Sequence, residues 1–128
     1  MSLRSPLGAA LGAGAARGGV HHWWAQRVSA LALMPLGLWL LVALVRLPLG
    51  DYAAVTDWVG HGVNAVLLSL LVGVGAWHSQ LGVQVVIEDY VHAKGMKTAA
   101  LLLSAGTHLL VGATGIYAVL RIALRSFA

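Results

Sequence analysis

Three stretches of the chain carry no formal charge and are dominated by apolar side chains, and each is close to the length of a bilayer crossing. The first, Val28 to Val45, runs 18 residues between Arg27 and Arg46. At about 1.5 Å per residue it spans about 27 Å, against about 30 Å of bilayer hydrocarbon. Val63 to Ile87 and Thr98 to Leu120 are the second and third. The pattern predicts three transmembrane helices, over about residues 24–46, 62–89 and 97–122. Pro35 falls inside the first, where a membrane helix tolerates it if neighbours satisfy the freed carbonyl. Trp23, Trp24, Tyr52 and Trp58 sit just outside the apolar runs, as interfacial anchors do. The fold class is therefore an all-α membrane protein of three transmembrane helices, with residues 23–128 as the membrane domain.

Composition sharpens this picture. The chain has 128 residues, 59% of them apolar and 9% charged, with a mean hydropathy of +0.85. A soluble domain carries about 25% charged residues, so the excess of apolar side chains must face something other than water. Cysteine is absent, which excludes disulfide scaffolds. The net charge of +4 comes from few basic residues, too few for a nucleic-acid groove.

Residues 1–22, rich in Gly and Ala, read as a flexible tail. A signal peptide fits poorly, because glycines break the apolar stretch. Arg4, Arg17, Arg27, Lys94 and Lys97 fall on one side of the membrane, and Arg46, Arg121 and Arg125 on the other. This bias places the N-terminus in the cytoplasm of a bacterium, or in the matrix if the membrane is the mitochondrial inner one.

The second span holds the chemistry. It carries His78, Ser79, Gln80 and Gln84, and ends in Glu88, Asp89 and Tyr90. Polar groups at membrane depth need partners, and ionisable ones are functional candidates. At about 100° per residue, His78, Gly82, Val85 and Asp89 share one stripe, and the glycine lets a large flat group approach. A neutral imidazole with no acid nearby suits a metal. With no Cys and four acidic residues, neither zinc nor an iron-sulfur cluster can be held, which points to haem iron. The plainer reading, a hydrogen bond from His78 to a neighbouring helix, stays open.

Arg27, preceded by His21 and His22, is placed where a guanidinium can hold a haem propionate, or is simply a positive flank. His108 lies 11 residues past Lys97 and His78 lies 10 before Glu88, so an antiparallel hairpin puts both at about 15 Å depth. They form either a ligand pair within one chain, or His108 bonds a carbonyl or hydroxyl beside Gly106, Gly112 and Gly115. Ser69 and Gly73 form a further small-residue pair for helix packing. The carboxyls of Glu88 and Asp89 beside the Tyr90 phenol suit proton delivery to a quinone, or mark a helix end meeting water.

The segment His22-Trp-Trp-Ala-Gln-Arg-Val-Ser-Ala30, then His78-x3-Gly82, then Val86-Ile-Glu-Asp-Tyr-Val91 resembles the hydrophobic membrane anchors of succinate dehydrogenase, the D-type anchors of respiratory complex II. The resemblance spans about residues 20 to 122. It implies that His78 is an axial ligand of haem b, the other histidine coming from a C-type cytochrome b anchor subunit. It implies that Tyr90, assisted by Asp89, hydrogen-bonds ubiquinone at a site shared with the C-type anchor and the iron-sulfur subunit, and that Arg27, with His22, lies near the haem propionates. Succinate would be oxidised on a flavoprotein subunit, linking the tricarboxylic acid cycle to electron transport, with no succinate-oxidising centre on this chain. Gln80 and Gln84 stand where some relatives have Trp, and the resemblance supplies no ligand role for His108. The alternatives are a fumarate reductase or C-type anchor, and a small proton-coupled transporter using His78 and His108.

Overall fold

The computed structural model describes residues 16–125, and side-chain environments from Gly19 onward. Four helices follow one another: α1 (Ala16–Arg46), α2 (Tyr52–Gly60), α3 (Gly62–Tyr90) and α4 (Lys94–Arg125). Helices α1, α3 and α4 contain the three expected spans, and each is long and apolar enough to cross a membrane. The structure starts α1 at Ala16, so residues 16–22, expected in a flexible tail, are already helical. Residues 1–15 of that tail lie outside the described residues.

Pro35 does not end α1, which runs on to Arg46. The stop comes at Pro48, whose ring disfavours helical backbone at Leu47. Pro48 O then accepts from Asp51 N at 2.9 Å to close a turn.

Helix α2 was not among the expected elements. Its start is fixed by Asp51, whose carboxylate accepts from Ala53 N at 2.9 Å and Ala54 N at 3.2 Å, the capping geometry that satisfies the orphan donors of a first turn. It is pinned to α1 by Trp58 stacking on Trp39, with ring centroids 5.4 Å apart. His61, in extended backbone, ends α2 and opens α3.

Helix α3 is the centre of the bundle. It packs on both α1 and α4, whereas among the described residues α1 and α4 do not pack on each other. The α3–α4 seam is close because small residues line it. A Cβ added at Gly112 would lie 3.2 Å from Ala76 Cβ, and one at Gly115 would lie 2.8 Å from Val72 Cγ1. Gly73 completes the seam against Ile116. Gly106, expected to share this role, has nothing within 4 Å and faces outward. At the end of the hairpin Lys97 Nζ donates to the Glu88 carbonyl at 2.8 Å, satisfying an otherwise open C-terminal acceptor.

Almost none of the apolar surface is internal. Ala65, Leu81 and Ala123 are the buried hydrophobic residues among those described, while Leu38, Leu103 and Leu109 are 64%, 73% and 73% exposed. Such a surface is stable only in contact with lipid or other helices.

Candidate functional site

The α1–α3 interface opens into a cleft of about 720 Å³ lined by His22, Gln26, Arg27, His78, Gln84 and Glu88, among others. The two helices meet antiparallel. Leu33 of α1 faces Gly75, Ser29 faces His78, and Gln26 faces Gly82. Falling numbers on one helix thus meet rising numbers on the other.

His78 sits on the half-buried part of α3 and is tied to α1 by one bond, Nδ1 to Ser29 Oγ at 2.9 Å. The plainer sequence reading, a hydrogen bond to a neighbouring helix, is therefore met, while the other ring nitrogen has no hydrogen-bond partner among the described residues. Ser29 is 1% exposed and also bonds the Gln26 carbonyl at 3.0 Å. Neither Ser29 nor Gln26 was singled out in the sequence reading, although both fall inside the quoted first motif. A signal for Ser29 existed: a hydroxyl in the first span needs a partner, and antiparallel registration puts the imidazole opposite it.

Gly82 meets the Gln26 amide, Nε2 lying 3.5 Å from the position of an added Cβ. Its face is thus covered by an ordinary contact from α1 and is not an open platform for a flat ligand, as the helical stripe had suggested.

Arg27 is exposed, with its guanidinium 5.3 Å from the centroid of the Trp23 ring, a cation–π contact. The Trp23 ring meets Trp24 edge-on. His22 lines the same cleft, and its Nε2 is buried with no hydrogen-bond partner. His21 is exposed and does not line the cleft.

The acidic end of α3 divides. Glu88 accepts from Gln84 Nε2 at 2.8 Å, and Gln84 in turn accepts from Gln80 at 3.4 Å, a polar ladder at i, i+4 spacing that enters the cleft. Asp89 and Tyr90 are exposed at the helix end and do not line it, Tyr90 being 79% exposed.

His108 is held quite differently. Its Nδ1 meets the Ser104 carbonyl at 2.7 Å and its Nε2 meets Ser79 Oγ at 3.1 Å. Since only an N–H can bond a carbonyl oxygen, Nδ1 is the donor and Nε2 accepts from the serine. Both nitrogens are used, and the ring lines the groove between α3 and α4. His78 and His108 therefore belong to separate grooves, which removes both the ligand pair within one chain and the shared proton path.

One imidazole facing a polar cleft, with an arginine and an unpartnered histidine beside it, fits an iron porphyrin that takes a single ligand from this chain and its anionic edge from the basic residues. No cluster of three or more His, Cys, Asp or Glu that could hold a bare metal ion occurs among the described residues.

Comparison with known proteins identifies the family. The chain is 32% identical over 124 residues to the succinate dehydrogenase hydrophobic membrane anchor subunit of Paracoccus denitrificans, covering 97% of this chain and 95% of that protein. It is 30% identical over 100 residues to the subunit of the same name from Rickettsia bellii, covering 78% of this chain and 80% of the relative. It is 30% identical over 93 residues to the succinate dehydrogenase membrane anchor subunit of Reclinomonas americana, covering 68% and 75%. No solved structure matches the chain. The model of the succinate dehydrogenase/fumarate reductase transmembrane subunits matches residues 1–120, and the chain belongs to that family.

Proposed function

We infer that the chain is the D-type hydrophobic membrane anchor of a succinate:quinone oxidoreductase. In this reading it docks the flavoprotein and iron-sulfur subunits at the bilayer, co-ligates haem b with a histidine of a C-type anchor, and forms part of the ubiquinone site. The observation that carries the reading is the position of His78: at membrane depth on the central helix, bonded through one ring nitrogen, in a cleft shared with Arg27 and His22. The membrane is the bacterial plasma membrane, with the N-terminus in the cytoplasm.

Haem b, when bound, supplies a one-electron store at membrane depth. His78 would hold its iron through one ring nitrogen. Arg27 and His22, lining the same cleft, would neutralise and orient its anionic edge, and the orphaned His22 Nε2 would gain the partner it lacks. Stacking on Trp23 keeps the guanidinium near the cleft while leaving its donors free.

Tyr90 and Asp89 act at the end of α3, away from the haem cleft. The phenol O–H donates to a quinone carbonyl, and the carboxylate beside it takes protons from water and returns them to the reduced ring. Exposure of both side chains in the isolated chain leaves them open to a partner surface, which closes the site. Quinone reduction needs two electrons and two protons, so a wet carboxylate next to a hydrogen-bond donor is a minimum equipment.

The test is purification of the intact membrane complex with identification of co-purifying chains and reduced-minus-oxidised spectra. A flavoprotein, an iron-sulfur protein and a b-type spectrum are expected, and His78→Ala removes the spectrum. A haem-free complex, or one whose haem survives His78→Ala, overturns the ligand assignment. Tyr90→Phe should lower quinone reduction and leave the haem spectrum unchanged.

A further inference from the structure

We propose that Ser29 is a positioning residue that locks His78 as the Nδ1–H tautomer and aims its Nε2 lone pair into the α1–α3 cleft, an inference that rests on the haem reading above. Ser29 is the one buried polar side chain among the described residues, at 1% exposure, so its hydroxyl must be fully paired or costly to bury. It has two contacts, the Gln26 carbonyl at 3.0 Å and His78 Nδ1 at 2.9 Å.

A hydroxyl carries a single proton. The Gln26 carbonyl has no proton to give, so that contact exists as a hydrogen bond only if Ser29 donates to it. The contact to His78 must then run the other way, with the imidazole N–H donating to a serine lone pair. Nδ1 is protonated, Nε2 is bare, and the ring is in the state that ligates iron. The reverse arrangement would place the proton on Nε2, abolish the metal-binding lone pair and leave the Gln26 contact without a hydrogen. Serine in a helix bonds back to the carbonyl three or four residues earlier as a local habit, so the direction is set within α1 before α3 docks.

His108 provides an internal contrast. Its Nδ1 also donates, to a carbonyl, but its Nε2 is consumed by Ser79. Two histidines of the same tautomer thus differ in whether the second nitrogen is available.

Partners of a ligating imidazole typically carry about 10–100-fold in metal affinity, and an acceptor on the distal N–H strengthens the ligand as an electron donor. Removing the acceptor should therefore weaken haem retention by about that factor and move the haem midpoint potential to a more positive value. The experiment compares the purified intact complex carrying Ser29→Ala, Ser29→Cys and Ser29→Thr, measuring haem per complex, the position of the reduced α-band and the potentiometric midpoint. Alanine removes the acceptor; cysteine keeps the volume but accepts weakly; threonine keeps the hydroxyl.

The expected result is a shifted midpoint and lost haem in the Ala and Cys variants, with wild-type values in Thr. Wild-type haem content, α-band and midpoint in both Ala and Cys overturn the proposal. Where Ala fails to assemble, Cys decides. Failure of both with Thr intact supports it, and failure of all three overturns it, because volume and not the hydroxyl would then be limiting. A wild-type complex without b-type haem defeats the haem reading itself, a result distinguishable from any pattern among the Ser29 variants.

Discussion

The two interfaces of α3 are built from adjacent residues, His78 turned toward α1 and Ser79 toward α4, yet they solve opposite problems. Toward α4 the seam is close: Gly73, Gly112 and Gly115 bring backbones together, and His108 is satisfied at both nitrogens. Toward α1 a cleft of about 720 Å³ remains, with the His22 ring nitrogen orphaned and one nitrogen of His78 unused. The α4-side imidazole has both ring nitrogens hydrogen-bonded, whereas the α1-side imidazole has one left over for a ligand. The polar mismatch on the α1 side is the mark of a site completed by something outside the chain.

The comparison breaks most completely at the histidines. His78→Ala should abolish the b-type spectrum of the purified complex while the anchor still inserts, because insertion follows from the length and apolarity of the three spans, which the substitution leaves unchanged. Persistence of the spectrum would mean that the open nitrogen is not the ligand, and the two interfaces would lose their functional distinction.

Gly115→Leu attacks the other side. Even a Cβ at this position comes 2.8 Å from Val72 Cγ1, so a longer side chain forces α4 away from α3. The expected loss is about 1–3 kcal/mol, the usual cost of overpacking. It would appear as a lower thermal midpoint in detergent and a lower level of the chain in membranes. Unchanged stability would show that the seam is not the rigid half of the molecule.

How legible this was in the sequence differs between the halves in the same way. The spans were visible because a charge-free run of bilayer length has few other readings, and Gly112 and Gly115 followed from small-residue spacing. Helix α2 was not visible: nine residues are too short for a periodic signal, and its cap rests on Asp51, a residue equally at home in a turn. Depth arithmetic put His78 and His108 level but could not say which way either ring faced. That depends on the rotation of α3, which is set by its contacts with α1 and α4 together. For the same reason Glu88 read as one cluster with Asp89 and Tyr90, whereas the Gln80–Gln84–Glu88 ladder carries it into the cleft. Ser29 was passed over because a lone serine in an apolar run most often bonds its own helix, and here it does so while also serving α3.

A finer test separates the two imidazoles. His108→Ala leaves Ser79 without its partner and opens a small space in the α3–α4 groove, but both groups can find other partners within the helices. Interhelical hydrogen bonds in membranes average about 0.6 kcal/mol and reach about 1.7. The variant should therefore keep its full b-type spectrum and lose stability within that range, measured by thermal unfolding of the purified complex. Loss of haem here would contradict the assignment of His108 to the packed side.

The smallest effect is expected at Gly106, and its smallness is informative. Gly106 lies on the same helix as Gly112 and Gly115, and by sequence spacing the three look alike. A Cβ at Gly106 meets nothing within 4 Å, whereas at Gly115 it collides with Val72. Gly106→Ala should thus change thermal stability by no more than about 0.5 kcal/mol, as outward-facing substitutions usually do. The same measurement on Gly115→Ala requires Val72 to move and should show a clear destabilisation. Equal effects at the two positions would mean that α4 is rotated from the orientation seen here, or that a partner helix covers Gly106 in the assembled complex. A cross-link placed at position 106 distinguishes those two causes, since only the second captures another chain.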